Sequence, residues 1–77
     1  MIQKYKFVEN NIEMLRKLTK NGYVSSKLLI YYNIYSTYMS IKNESKINRY
    51  QTVAKETGQS VMTVRRAVYD MKKYVKD

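Results

Sequence analysis

The chain contains no cysteine, no histidine and no proline, and it has only two glycines. Without cysteine there is no disulfide, no zinc–thiolate site and no thiol nucleophile, and the redox compartment is left open. Without histidine, the commonest general base and the commonest metal ligand are missing as well. No Gly-rich phosphate loop occurs either, so neither an enzyme nor a metal or other cofactor is expected. The scarcity of proline and glycine favours helices over a tightly turned sheet. Acidic residues are also short: six Asp and Glu stand against 15 Lys and Arg, leaving +9 at pH 7. The 77 residues have room for one small domain, 1–77, with a modest core. So large an excess of cations on so small a body implies a polyanionic partner, nucleic acid or an anionic membrane. At 44% hydrophobic and 27% charged residues, the composition is that of a globular chain.

Long hydrophobic runs are missing too. The longest uncharged stretch, Leu28 to Ile41, has 14 residues and is broken by Asn33, Ser36, Thr37 and Ser40. It is too short and too polar to span a bilayer. The start, Met-Ile-Gln-Lys-Tyr-Lys-Phe, has no apolar run after its charges, so no signal peptide is expected. A soluble, cytoplasmic protein follows. A membrane-surface role would need an exposed helix with one fully apolar side, and here the apolar faces are needed for the core.

The periodicity predicts an all-α fold of four helices. The first covers about Phe7 to Lys20, with Val8, Ile12, Leu15 and Leu18 on one stripe. Glu9 and Glu13 on its flank have nothing nearby to tune them and are surface residues. Asn21-Gly22 is a C-cap signal, and Ser25 and Ser26 are candidate N-caps for a second helix over Lys27 to Ile41. In that helix Leu28, Tyr32, Tyr35 and Met39 cluster, Ile30, Ile34 and Ile41 form another stripe, and Tyr31 and Tyr38 lie between them. So wide an apolar arc belongs to a central helix touched on several sides. Its four tyrosines have helical spacing and no interleaved cations, which favours core and interface positions over a platform for stacking single-stranded bases.

After a polar loop, Lys42-Asn43-Glu44-Ser45-Lys46, comes the most informative segment, about residues 49–69. Asn48 and Gln51 have capping-box spacing for a third helix, whose face is Tyr50, Val53, Ala54 and Thr57. Gly58 stops it, and Ser60 caps a fourth helix at once. On the fourth helix Val64, Ala67, Val68, Met71 and Val75 are expected to face inward. Met62, Arg65, Arg66, Tyr69, Lys72, Lys73 and Lys76 are expected to face outward. Two short helices joined through a glycine in this way form a helix-turn-helix unit, with Ala54 at the crossing and Val64 plugging the gap between them.

The run Val53-Ala54-Lys-Glu-Thr-Gly58-Gln-Ser60-Val-Met-Thr63-Val64-Arg-Arg resembles the helix-turn-helix DNA-binding superfamily. With the hydrophobic helix before it, the chain is most similar to the tri-helical and winged modules of phage and plasmid replication proteins and small transcriptional regulators. The resemblance implies a tri-helical core with an extra N-terminal helix. Too few residues follow Tyr74 for a β-hairpin wing, so the wing is absent or truncated. It also implies that the helix after Ser60 enters the major groove of double-stranded DNA. Val61, Met62 and Arg66 would then face bases, Ser60, Thr63 and Arg65 would lie near phosphate, and Tyr69 and Lys73 would continue the interface. Lys55, Lys72 and Lys76 would add backbone contacts.

The expected function is sequence-preferring duplex binding by a small transcriptional regulator. The alternatives are a phage or plasmid replication or partition accessory, and an adaptor that binds host machinery without DNA. A lone module binds weakly, so a homodimer or larger nucleoprotein complex is expected, with the first helix and the surplus tyrosines as candidate interfaces. No small-molecule ligand is evident. Lys, Asn, Ile and Tyr make up 32 of the 77 residues, which suggests an AT-rich bacterial, phage or plasmid genome.

Overall fold

The structure is a computed structural model that describes residues 1–42 and 44–76; Asn43 of the predicted loop, and Asp77, lie outside the described residues. The described residues are mostly helical, with five helices rather than four and one small sheet. The order is β1 (Ile2–Gln3), α1 (Lys4–Asn10), α2 (Ile12–Lys20), α3 (Lys27–Ser40), α4 (Lys46–Thr57), α5 (Val61–Met71) and β2 (Tyr74–Val75).

The extra helix arises where a single Phe7–Lys20 helix was expected. At Asn11 the backbone leaves the helical region (φ −118°, ψ 19°). The Asn11 side chain donates to the Phe7 carbonyl at 2.8 Å. Asparagine competes with the backbone for such bonds, which is why it breaks helices that an apolar stripe would continue. Val8 and Leu15 are buried on either side of the break, as the stripe predicts.

Helix α3 matches its expected span closely. Ser25, rather than the N-cap Ser26, satisfies its first N–H: the Ser25 Oγ accepts from Lys27 N at 3.2 Å. Ile34, Tyr35 and Tyr38 of α3 form the core with Val53 and Ala54 of α4 and Val64, Ala67, Val68 and Met71 of α5. Ile34, Met71, Val53 and Val64 are almost fully withdrawn from water, each contributing roughly 1.5–3 kcal/mol of transfer free energy. Leu28, Tyr32 and Ile41 of the predicted stripes are half-buried, whereas Ile30 and Met39 are 41% and 43% exposed, because α1, α4 and α5 cover only part of the helix surface. The tyrosines of α3 are packing residues. Tyr5 stacks on Tyr32 (centroids 5.3 Å apart) and meets Tyr35 edge-on at 4.7 Å. Tyr38 then lies between Tyr35 and Tyr50, at 6.0 and 5.6 Å. Such pairs add to area burial and fix ring orientation.

Helix α4 starts at Lys46, earlier than the Asn48 cap predicts. Ser45, in extended conformation, accepts from Asn48 N, so Asn48 is the third helical residue and Ser45 is the cap. Helix α5 ends at Met71 instead of running to Val75. There the chain turns into β2, which pairs antiparallel with β1 in the register Ile2↔Val75 and Gln3↔Tyr74. Val75 and Lys76 are therefore off the helical wheel: Val75 is half-buried in the ribbon and Lys76 is exposed beyond it. The ribbon joins the two ends of the chain and is not a hairpin. Among the described residues, no helix is long and apolar enough to cross a membrane.

Candidate nucleic-acid interface

The surface of α5 is set by how the chain leaves α4. Gly58 takes the left-handed conformation (φ 72°, ψ 17°), and its N–H donates to the Ala54 carbonyl. The Gln59 N–H donates to the same carbonyl at 3.2 Å. This closes α4 and reverses the chain within three residues. Ser60 follows in extended conformation and caps α5 by accepting from Thr63 N at 3.1 Å. The crossing of the two helices is tight enough that Val64 is fully buried, with the small Ala54 beside it.

A second device fixes α4 against α3. The Arg49 guanidinium lies 3.8 Å from the centroid of the Tyr38 ring. From there its Nε and Nη2 donate to the Tyr38 carbonyl at 3.0 and 2.8 Å. The half-buried Arg49 is thus committed to α3, where it donates to a carbonyl at the C-terminal end of that helix.

With Val64, Ala67, Val68 and Met71 turned inward, helical geometry sends the intervening residues to solvent. Met62 is 56% exposed and Tyr69 72% exposed. Arg65, Arg66 and Lys73 are exposed as well. Met62, Arg65, Arg66 and Tyr69 line one groove of about 390 Å³ with Lys46 and Tyr50 of α4. Val61 and Arg65 line an adjoining groove with Ile47 and Gln51. Among the described residues none of Lys46, Arg65 and Arg66 is paired with a carboxylate. The groove therefore presents three uncompensated cations, a methionine and two tyrosines.

The remaining predicted site residues are placed differently. The Ser60 hydroxyl is used inside the cap: besides accepting from Thr63 N, it donates to Thr63 Oγ1 at 2.9 Å. Of the two capping hydroxyls, that of Thr63 keeps its proton free to donate, beside the first-turn backbone N–H groups of α5. Lys73 lies across the Arg66–Tyr69 ridge from the groove, its Nζ 5.0 Å from the Tyr69 ring. Lys72, at the C-cap, leans over Tyr38 with its Nζ 5.8 Å from that ring. Lys55 is exposed on α4 but lines neither groove. Lys46 and Tyr50 were not picked out as site residues in the sequence. Lys46 falls in a stretch that reads as loop, and Tyr50 reads as a core-facing residue. Among the described residues no group of three acidic side chains could hold a metal ion.

Compared with protein-family models, with curated proteins and with solved structures, the chain matches none.

Proposed function

We propose that this protein binds double-stranded DNA through a helix-turn-helix made of α4 and α5, in a tri-helical core completed by α3, and acts as a small transcriptional regulator. The observation that carries this reading is the α4–α5 groove. A left-handed glycine turn holds two helices at a buried crossing, and the exposed side of the second helix places Met62, Arg65, Arg66 and Tyr69 beside Lys46 without a carboxylate partner. An exposed helical face with unpaired cations suits the phosphate backbone. Residues on the first two turns of α5 would reach base edges.

In this mechanism the N-terminal end of α5 enters the major groove. Arg66 takes a guanine edge with two parallel hydrogen bonds, worth ~1–3 kcal/mol of discrimination. Val61 and Met62, 41% and 56% exposed, offer apolar contact of the kind a thymine methyl accepts. Lys46, Arg65 and the Thr63 hydroxyl address phosphates. Specificity is then modest and electrostatics carry much of the affinity. Exposed apolar side chains away from this face, Phe7 at 42% and Met14 at 54%, are available for a homodimer or a larger nucleoprotein complex in the cytoplasm.

Selection of bound sites from a random duplex pool tests the proposal. Enrichment of a defined motif, flattened by Arg66→Ala, is expected; a palindrome would report a dimer, and direct repeats a replication or partition role. Failure to bind any duplex at low salt would refute DNA binding and leave the adaptor alternative.

A further inference from the structure

Helix α5 has a second flank. Arg66 and Tyr69, which close the α4–α5 groove, also line a separate depression of about 440 Å³ on their other side. Its far wall comes from Lys4 at the start of α1 and from Lys27 and Tyr31 of α3, with Asp70 at the end of α5 and Lys73 just after it completing the rim. Lys4 and Asp70 are 66 positions apart and meet at 2.8 Å. The Lys4 backbone N–H also donates to the Lys73 carbonyl. The strand pairing of β1 with β2 is what carries this N-terminal segment onto α5.

The chemistry of this depression is cationic. Asp70 is the one acid among the lining residues, and Lys4 neutralises it. Among the described residues Lys27, Arg66 and Lys73 have no carboxylate partner. The Lys27 ammonium sits 5.2 Å from the Tyr31 ring and the Lys73 ammonium 5.0 Å from the Tyr69 ring. Both are thereby held against aromatic walls at the rim, which reduces the entropy lost when an anion is bound.

We propose that this depression is a phosphate site, formed by Lys27 and Lys73 with Lys4 beside them, that takes the backbone of one DNA strand while the α4–α5 groove takes the other. The proposal rests on α5 being the DNA-facing helix. A helix lying in a major groove has a phosphate backbone on each side of it. A ridge of Arg66 and Tyr69 with unpaired cations on both flanks has the matching charge pattern. Lys4 and Lys27 are remote from α5 in sequence, and only the fold brings them there.

The test uses the full chain and a selected duplex, with affinity measured by fluorescence anisotropy from about 50 to 200 mM salt. Each phosphate neutralised contributes about −0.9 to the slope of log affinity against log salt. Lys27→Gln should therefore make the slope shallower by about 0.9 and weaken binding about eightfold at 0.1 M salt. Lys27→Arg, which keeps the charge, should restore both. Asp70→Asn should act in the opposite direction: it removes the acid and frees Lys4 for phosphate, so the slope steepens by a similar amount. Lys17→Gln, exposed on α2 and lining neither flank, is the control. Thermal melts establish that each variant is folded.

A Lys27→Gln slope equal to that of Lys17→Gln, in a protein whose binding still responds to Arg66→Ala, would overturn this site alone. No duplex binding by the parent protein would remove the site and the DNA-facing role of α5 together. Tight, saturable binding of inorganic pyrophosphate at Lys27 and Lys73, read from their amide signals, would assign the depression to a small phosphate ligand and overturn the backbone assignment.

Discussion

Replacing Gly58 by alanine isolates the backbone conformation on which the α4–α5 arrangement depends. At φ +72° an L-residue pays roughly 1–2 kcal/mol for the left-handed region. A Cβ built at Gly58 meets nothing within 4 Å, so no steric clash adds to this. Alanine also restricts the unfolded chain, which returns about 0.4–1 kcal/mol. The net expectation is a loss of about 1 kcal/mol, seen as a fall of about 4–8 °C in Tm for a domain of this size. Circular dichroism melts of the parent, Gly58→Ala and Gly58→Asn would measure it. The asparagine variant should lose less, since asparagine visits the left-handed region more readily. Well below the melting temperature Gly58→Ala should bind DNA like the parent, because the turn itself is retained. An unchanged or raised Tm would refute a left-handed turn at this position, and with it the crossing of α4 and α5. A loss beyond about 3 kcal/mol would reveal a steric contact that the open space around Gly58 excludes.

Four further outcomes follow from the same geometry. With Arg66 on a base edge, Lys46, Arg65, Lys27 and Lys73 are the four uncompensated charges assigned to phosphates on the two flanks of α5, so the proposed mode of binding gives a parent slope near about −3.6. That corresponds to about 150-fold weaker binding on going from 50 to 200 mM salt, and a flat response in an anisotropy titration would contradict it. Val64→Ala, at a fully buried position, should cost about 2 kcal/mol in a denaturant titration, whereas Met62→Ala on the exposed face should cost almost none. Arg49→Lys should destabilise nearly as much as Arg49→Ala, because a lysine cannot both stack on Tyr38 and donate twice to its carbonyl; equal stability of Arg49→Lys and parent would argue against that role. Burial, then the neighbouring Tyr38 and Tyr5, raises the Tyr35 pKa above its ordinary value of 10.0, with Arg49 opposing. The unfolded chain ionises Tyr35 first, so stability is complete below pH 10.0 and falls as pH rises toward the folded value. Tyr35→Phe should flatten that alkaline decline in stability measured against pH.

Much of the arrangement could be foreseen because its signals are local. Gly58 needs no tertiary partner to end α4, Ser60 caps α5 through a residue three positions away, and the spacing of Val64, Ala67, Val68 and Met71 defines an inward face wherever a core lies. The boundaries that moved show where local signals compete. Asn11 bonds to the Phe7 carbonyl and splits an apolar stripe in two, and Ser45 captures the Asn48 N–H and starts α4 before the Asn48–Gln51 pair can. In each case a side chain offers the backbone a hydrogen bond that competes with the expected helical pattern, and sequence spacing does not rank the alternatives.

Composition and periodicity alone determined a mostly helical, strongly basic chain, a glycine turn between two helices, and which side of α5 is exposed. These depend on intrinsic backbone preference and on the 3.6-residue period, both properties of short segments. The tertiary structure decided what no short segment contains. It ended α5 at Met71 by pairing Tyr74–Val75 with Ile2–Gln3, and it withdrew Arg49 onto Tyr38. It also set Lys46 and Tyr50 on one flank of α5 and Lys4 and Lys27 on the other. Those placements arise from contacts between residues up to 73 positions apart, whose partners are chosen by the packing of the whole chain.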